Sequence, residues 1–219
     1  MKAYIYGSGA QGRVINDILL AQKKYLAIKF IDDDENKWGK MINNVKVVGG
    51  INYLIKQDPK TIRVIIAFGD PEKRLKLAIK LKKYEIIFLN AIYPSASIMN
   101  SVKFGEGNMI GANVVINSNA QIGNHTVINT SAVVEHDCQL ENGVNISPGV
   151  VVSGRATVKK GAFICTGAII LPRITIGKFS VVAAGSVVTK DVPDSVLIMG
   201  TPGKIVEKLY KNYNWQKVL

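Results

Sequence analysis

From Ala96 to Asp191 the chain reads, six residues at a time, ASIMNS, VKFGEG, NMIGAN, VVINSN, AQIGNH, TVINTS, AVVEHD, CQLENG, VNISPG, VVVSGR, ATVKKG, AFICTG, AIILPR, ITIGKF, SVVAAG, SVVTKD. The third position of every hexad is Ile, Val or Leu, with Phe104 as the single aromatic exception. The first position is mostly small, as at Ala120, Ala132, Cys138, Ala156, Ala162, Ala168, Ser180 and Ser186. One inward aliphatic per hexad suits neither a helix of period 3.6 nor an alternating strand. It suits a short strand and a tight turn, three such units closing one coil of a parallel β-helix. The aliphatic residue fills a narrow prism and the small residue lets the corner pack. Coils stack about 4.8 Å apart, so the hexads make a little over five coils and a column of roughly 25 Å.

Around this column the chain divides into three parts. Residues 1–95 read as a small α/β domain, 96–191 as the β-helix, and 192–219 as a cap with a short helix. The cap is needed because the last coil would otherwise present an open edge for pairing. Residues 3–7 read as a buried strand that runs through GSGAQG into a helix, and LAIKFI reads as a second strand. A short strand at VKVVG, a helix around NYLIKQ, the strand TIRVIIAFG, a helix over 71–83 and a last strand EIIFLNAIYP complete a parallel, Rossmann-like unit.

Composition narrows the function classes. A hydrophobic content of 47% and a charged content of 20% are those of a globular protein. No apolar run approaches the ~20 residues of a membrane span, and the N-terminus lacks the pattern of a signal peptide, which places the chain in the cytoplasm. The net charge of +12 raises the question of nucleic acid. Most of the excess lies in residues 1–95, concentrated in PEKRLKLAIKLKK, where lysines share a helix with Leu75, Ala78 and Leu81. A solvated helix face accounts for it, and no nucleic-acid partner is expected. Cys138 and Cys165 sit one and a half coils apart, too far for a disulfide, and no zinc-ligand spacing or other metal site is present.

Two places carry chemistry. Gly7, Gly9 and Gly12 satisfy GxGxxG between a strand and a helix, which brings backbone N–H groups and a helix N-terminus to a phosphate. The acids Asp32-Asp33-Asp34-Glu35 follow the second strand, where a ribose hydroxyl would be held, although a solvated turn reads equally well. With only about one mononucleotide-binding half available, a nucleotide-linked ligand fits better than a nicotinamide dinucleotide. The second place is the corner Glu135-His136-Asp137. A histidine beside a carboxylate can serve as a general base near neutral pH, and an exposed polar corner is the equally open alternative. Gly154 follows His136 by three hexads, one coil, so it stacks beside it and leaves both space and a bare N–H. His125, at the end of AQIGNH, reads as structural. An acyl-Cys165 route lacks a neighbouring base in AFICTG.

The chain resembles the nucleotide-sugar acyltransferases of the left-handed β-helix superfamily. It is most similar to the bacterial sugar N-acetyltransferases of the bacillosamine pathway, with the sialic acid O-acetyltransferases as relatives. The residues that carry the resemblance are YIYGSGAQG, FIDDD, FGDPEKR, NTSAVVEHD, NISPG and the terminal GTPGK, over essentially the full length. The resemblance implies a left-handed coil, a homotrimer and acetyl-CoA as co-substrate. It implies His136 as the base for the acceptor amine and Asp137 as its orienting acid, with Asn129 beside the sugar. It implies Gly7, Gly9, Gln11 and Gly12 at the nucleotide-sugar phosphates, Asp32 and Asp33 at the uridine end, and Arg74 near the nucleotide. Acetyl-CoA would lie between adjacent β-helices along Asn145, Gly154, Thr166 and Ala184.

Two positions depart from the relatives. Asn145 stands in NISPG where a histidine is usual, and Gln11 replaces a histidine of the phosphate loop found in some of them. Asparagine can donate a hydrogen bond but cannot carry a proton at neutral pH. The expected activity is acetyl transfer from acetyl-CoA to the amino group of a nucleotide-linked aminosugar, of the 4-amino-4,6-dideoxy type. The alternatives are O-acetylation of a sugar hydroxyl and a non-catalytic trimer that binds a nucleotide sugar, the latter favoured by Asn145.

Overall fold

A computed structural model of the chain describes residues 1–210. It divides into two compact units: residues 1–94 with 106–109, and residues 95–105 with 110 onward.

The first unit is built on a parallel sheet of β1 (Lys2–Tyr6), β2 (Ala27–Ile31) and a third long strand, Ile62–Ile66, in the order second, first, third. With the first strand central, the crevice for a ligand opens at the carboxyl ends of the strands, where the glycine loop lies. The helix α1 (Ala10–Gln22) follows that loop directly. After β2 come a 3-10 turn (Glu35–Lys37), the hairpin pair β3 (Met41–Ile42) and β4 (Val45–Lys46), and the short helix α2 (Ile51–Leu54). The strand Ile62–Ile66 is β5, and α3 (Pro71–Lys82) succeeds it. Asp70 caps α3, its carboxylate accepting the N–H groups of Glu72 and Lys73 at 2.9 and 3.0 Å, with Pro71 at the first helical position. Tyr4, Tyr6, Ile31, Leu54, Val64, Ile66 and Leu81 close one core. The expected last strand, EIIFLNAIYP, is not continuous. Phe88 makes a single bridge to Val64, and only Ala91–Ile92 forms a strand, β6. Ile87 and Leu89 hydrogen-bond Val64 from either side of Phe88. The backbone is then drawn off so that Ala91 N–H meets Asn108 O at 2.8 Å.

The second unit is the β-helix. Sixteen two-residue strands, β7 to β22, begin at Ser97–Ile98 and recur once per hexad to Val187–Val188. Each strand from β7 to β19 pairs in parallel with the strand three hexads on, as in Val115↔Val133↔Val151↔Ile169↔Val187. Three ladders result, one per face of the prism. The second residue of each hexad points outward and the third inward. From Ile110 to Val188 the inward residues are at most 3% exposed, as the period requires. Outward residues differ by face. The first face carries Ser97, Val115, Val133, Val151, Ile169 and Val187; the second carries Lys103, Gln121, Gln139, Thr157 and Thr175.

The buried hydroxyls of Ser180 and Ser186 at first positions are both satisfied by the capping segment. Ser180 Oγ donates to Pro193 O at 2.7 Å, and Gly200 N–H donates to Ser186 Oγ at 3.1 Å. The strand β23 (Val196–Met199) continues the third ladder in parallel. Where a short helix is expected after Gly203, Lys204–Lys208 forms a strand, β24, antiparallel to β23. The free edge of β23 is the physical reason, because its open ladder is satisfied by the returning chain. The rest of that expectation, residues 211–219, lies outside the described residues.

Candidate active site

The corner after Val134 joins the first face to the second, and stacking at one coil, three hexads, sets what surrounds it. Asn117, Glu135 and Ser153 share one column, Ser118, His136 and Gly154 the next, and Asn119, Asp137, Arg155 and Arg173 the third. Asp137 takes the left-handed turn position, with φ of 59°. That conformation swings its carboxylate back to the ring it follows: His136 Nδ1 lies 2.9 Å from Asp137 Oδ2. The coil before contributes Asn119 Nδ2, which donates to Asp137 Oδ1 at 3.2 Å, and the coil after contributes Arg155 Nε at 3.7 Å from Oδ2. These contacts hold the Asp137 carboxyl below its ordinary pKa, the hydrogen bond from His136 being the largest cause, then that from Asn119. Glu135 fixes the backbone, accepting His136 N–H at 3.1 Å and Asn117 Nδ2 at 2.9 Å.

An anionic Asp137 facing Nδ1 favours the tautomer with the proton on Nδ1, leaving Nε2 as an acceptor. Nε2 points at Gly154. A Cβ built on Gly154 would stand 2.7 Å from Nε2 and 2.9 Å from Cε1, so only glycine fits beside the ring. The N–H of Gly154 has no acceptor among the described residues. With the side chain of His136 51% exposed, the corner offers an open base and a free donor on consecutive coils. The contacts from Asn117, Asn119 and Arg155 were missed in the sequence, although the one-coil offset that found Gly154 also finds them.

Asn129, Asn145, Thr166 and Ala184 do not join His136 in the same chain. Thr166 and Ala184 follow it by five and eight hexads, each a whole number of coils plus two thirds, and so lie on the corner between the third and first faces. Asn129 lies on that same corner, its Oδ1 accepting Thr130 N–H at 2.8 Å. Asn145 is buried on the third face between Val127 and Phe163. The outward aliphatic row of the first face separates the two corners.

In the first unit, the three glycines play different parts. Gly7, at φ 107°, would bring a Cβ to 3.0 Å from Ala67 O, and a Cβ on Gly12 would strike Gly7 O at 2.1 Å. Gly9 faces open space, at the N-terminus of α1, and is the point at which a phosphate can approach. Gln11 lies beside it, its Oε1 3.5 Å from where a Gly69 Cβ would stand. Asp32 and Asp33 are occupied internally. Asp32 Oδ2 accepts Ser8 N–H at 3.0 Å, the Ser8 hydroxyl, and Lys37 Nζ at 3.1 Å. Burial alone would raise the Asp32 pKa, but the hydrogen bonds from Ser8, Asp34 and Lys37 outweigh it and the net shift is downward. Asp33 accepts the Tyr6 hydroxyl at 2.7 and 2.8 Å and Ile51 N–H at 3.2 Å. Both carboxylates therefore fix the glycine loop and its neighbours.

Arg74, expected near the nucleotide, is 1% exposed and donates to Phe68 O at 2.5 Å and Gly69 O at 3.4 Å. Burial lowers its pKa to about 10, opposed by Asp70. It braces from within the Phe68-Gly69 turn that borders Gly7 and Gln11. The two cysteines are free and buried, and desolvation pushes both thiols up to about 11. Neither can act as a thiolate nucleophile at neutral pH. Among the described residues no cluster of potential metal ligands occurs.

Residues 2–81 match the model of the PglD N-terminal domain, and residues 119–154 match that of the bacterial transferase hexapeptide of six repeats. The chain matches no curated protein. Among solved structures it is similar to a histidine-to-alanine variant of GDP-perosamine N-acetyltransferase from Caulobacter crescentus, in complex with CoA and GDP-perosamine. Identity is 34%, covering 95% of this chain and 98% of that one, with a TM-score of 0.89. The acetyltransferase domain of PglB from Neisseria gonorrhoeae, in complex with acetyl coenzyme A, is 27% identical over 94% and 98% of the two chains, TM-score 0.88. WeeI from Acinetobacter baumannii is 28% identical over 94% and 100%, TM-score 0.87. With both halves matched in order and a relative of this identity spanned almost end to end, the chain belongs to the left-handed β-helix, hexapeptide-repeat family of sugar N-acetyltransferases.

Proposed function

We propose that the protein transfers the acetyl group of acetyl-CoA to the amino group of a nucleotide-linked aminosugar of the 4-amino-4,6-dideoxy class. The observation that carries this reading is the His136–Asp137 pair with Nε2 open toward Gly154. The acceptor amine attacks the thioester carbonyl while His136 Nε2 takes a proton from the amine nitrogen. Negative charge develops on the carbonyl oxygen, for which the free Gly154 N–H is a donor. The tetrahedral adduct collapses with loss of the C–S bond, and His136 returns the proton to the leaving CoA sulfur. Asp137 holds the ring throughout and balances the imidazolium. The nucleotide end is held at Gly7, Gly9, Gln11 and Gly12, with Asp32, Asp33 and Arg74 fixing that loop. The nucleotide is uridine, as the family resemblance implies, or guanosine, as in the relative bound to GDP-perosamine.

Acetyl-CoA needs a second chain. His136 with Gly154 lies on one corner and Thr166 with Ala184 on another, so a single column cannot line both sides of the pantetheine. A homotrimer brings the two corners of neighbouring chains together, and the outward row Val115, Val133, Val151, Ile169 and Val187 supplies an apolar face to bury. Asn145, at the position where the resemblance leads one to expect histidine, offers an amide donor without a titrating proton, and Asn129 is assigned to the sugar side. Among the described residues no helix is long and apolar enough to cross a membrane. On the acetyl-CoA reading we place the protein in the cytoplasm.

The test mixes purified protein, acetyl-CoA and a panel of nucleotide aminosugars, and follows free CoA and product mass, with the oligomer measured by light scattering. Gain of one acetyl on an amino sugar, lost in His136→Ala, is expected. Acetylation of hydroxyl acceptors alone, or tight sugar binding without turnover, overturns the reading.

A further inference from the structure

Both arginines of the hexad region lie on the corner that carries His136. Arg155 and Arg173 stack directly after Asp137 at the turn position, with φ of 62° and 63°. Backbone bonds of 2.9 and 3.1 Å from Arg155 N to His136 O and from Arg173 N to Gly154 O hold them in column. At this φ a residue with a Cβ is sterically disfavoured. Much of the column uses glycine there, as at Gly143, Gly149, Gly161, Gly167 and Gly185. Arg155 is drawn to Asp137. Arg173 is exposed and makes no ion pair among the described residues, and the same is true of Lys190, which follows His136 by three coils in the neighbouring column. The nearest carboxylate beyond Arg173 in its own column, Asp191, accepts Thr175 N–H at 2.7 Å. A basic rail thus leaves the catalytic corner and runs toward the capped end.

Its spacing has a meaning. With coils about 4.8 Å apart, Arg173 lies about 10 Å and Lys190 about 14 Å along the axis from His136. Thirteen bonds separate the thioester sulfur of acetyl-CoA from the first phosphorus of its diphosphate. At the ~1.2 Å per bond of an extended peptide chain, that is at most about 16 Å. We propose that Arg173 and Lys190 bind the diphosphate of acetyl-CoA and set how far the thioester advances toward His136. The inference rests on the acetyl-CoA reading above. Arginine supplies a planar pair of donors and lysine a compact charge, the two usual partners of a phosphate.

The test measures Kd by calorimetry on the full chain for acetyl-CoA, 3′-dephospho-acetyl-CoA and acetyl-pantetheine. Arg173→Ala with Lys190→Ala is expected to weaken acetyl-CoA about 30- to 100-fold and 3′-dephospho-acetyl-CoA equally. Acetyl-pantetheine, which has no phosphate, is expected to bind both proteins alike. Arg173→Gly separates fold from binding, because it removes the side chain and relieves the left-handed conformation. A loss of about tenfold in acetyl-CoA affinity with an undiminished melting temperature is expected. Unchanged acetyl-CoA affinity in the double variant overturns the proposal, as does an effect that disappears with the 3′-dephospho compound. Wild-type turnover on a nucleotide aminosugar distinguishes this failure from failure of the functional reading. A wild type that neither binds nor uses acetyl-CoA overturns both.

Discussion

Replacing Gly154 by alanine adds one methyl group at the point where the corner has no room for it. The new carbon would meet His136 Nε2 at 2.7 Å, Cε1 at 2.9 Å and Cδ2 at 3.2 Å. An ordinary carbon contact needs about 3.5 Å, so the ring must retreat by close to 1 Å. The fold should tolerate this. The backbone of Gly154 is outside the left-handed region, and His136 is half exposed and free to rotate into solvent. Loss of glycine also reduces the entropy of the unfolded chain, a gain of roughly 0.4–1 kcal/mol that offsets the local strain. Catalysis should not tolerate it. A displacement of about 1 Å costs on the order of 100-fold, and a ring that leaves Asp137 forfeits part of the 10²–10⁴-fold that a positioned base contributes. We expect kcat/KM for acetyl transfer to fall by about 10²–10³, that is about 3–4 kcal/mol of transition-state stabilisation, with the melting temperature within ~3 °C of wild type. Release of CoA thiol, followed with a nucleotide aminosugar as acceptor, gives the first number and a thermal melt the second. Activity within threefold of wild type would refute the placement of the base against Gly154. A collapse in melting temperature would refute the argument that the ring yields.

Three further outcomes follow from the same contacts. Asp137→Ala removes the acceptor at His136 Nδ1 and should lower kcat about 100-fold with KM for the acceptor nearly unchanged; a rise in KM alone would assign Asp137 to binding. In native protein at pH 8 both thiols should react with a disulfide reagent far more slowly than in denatured protein, since burial holds them near 11; rapid native labelling of either contradicts that. Asp32, with its pKa lowered in the fold, contributes stability that is present above its ordinary 3.8 and is lost as pH falls through the lowered value. The denaturant midpoint should therefore drop below about pH 4, and drop less in Asp32→Asn; parallel pH curves for the two proteins would remove Asp32 from the account.

The two units were unequally legible in the sequence, for a physical reason. In the β-helix each residue's neighbours are those one coil away, so Gly154 beside His136 follows from counting hexads, and so does the separation of Thr166 and Ala184 from them. In the α/β unit the elements were readable but their side-chain commitments were not. Arg74 looks like a surface cation within a lysine-rich helix, yet α3 turns it inward to carbonyls that only tertiary packing brings there. Asp32 and Asp33 look free after β2, yet Ser8 and Tyr6 from β1 and its loop claim them. The last expected strand failed because its run of apolar residues was shared between one bridge and the return to Asn108. The terminal strand β24 was hidden because its partner, β23, is itself set by the end of the third ladder.

The three-hexad ladder also sets which edits the gene can absorb. Removing one hexad anywhere between Val114 and Asp191 leaves every aliphatic pointing inward, so the prism closes as before. Everything beyond the edit, however, is carried a third of a turn around the axis. An excision between His136 and Gly154 would leave a sound column whose base no longer meets its glycine. Excising a whole coil beyond Gly154 preserves that corner and shortens the rail by one rung. Length drift in such a chain is thus silent for folding in steps of one hexad, but for the active corner only in steps of a full coil. A folded, inactive descendant is the expected product of the smaller step.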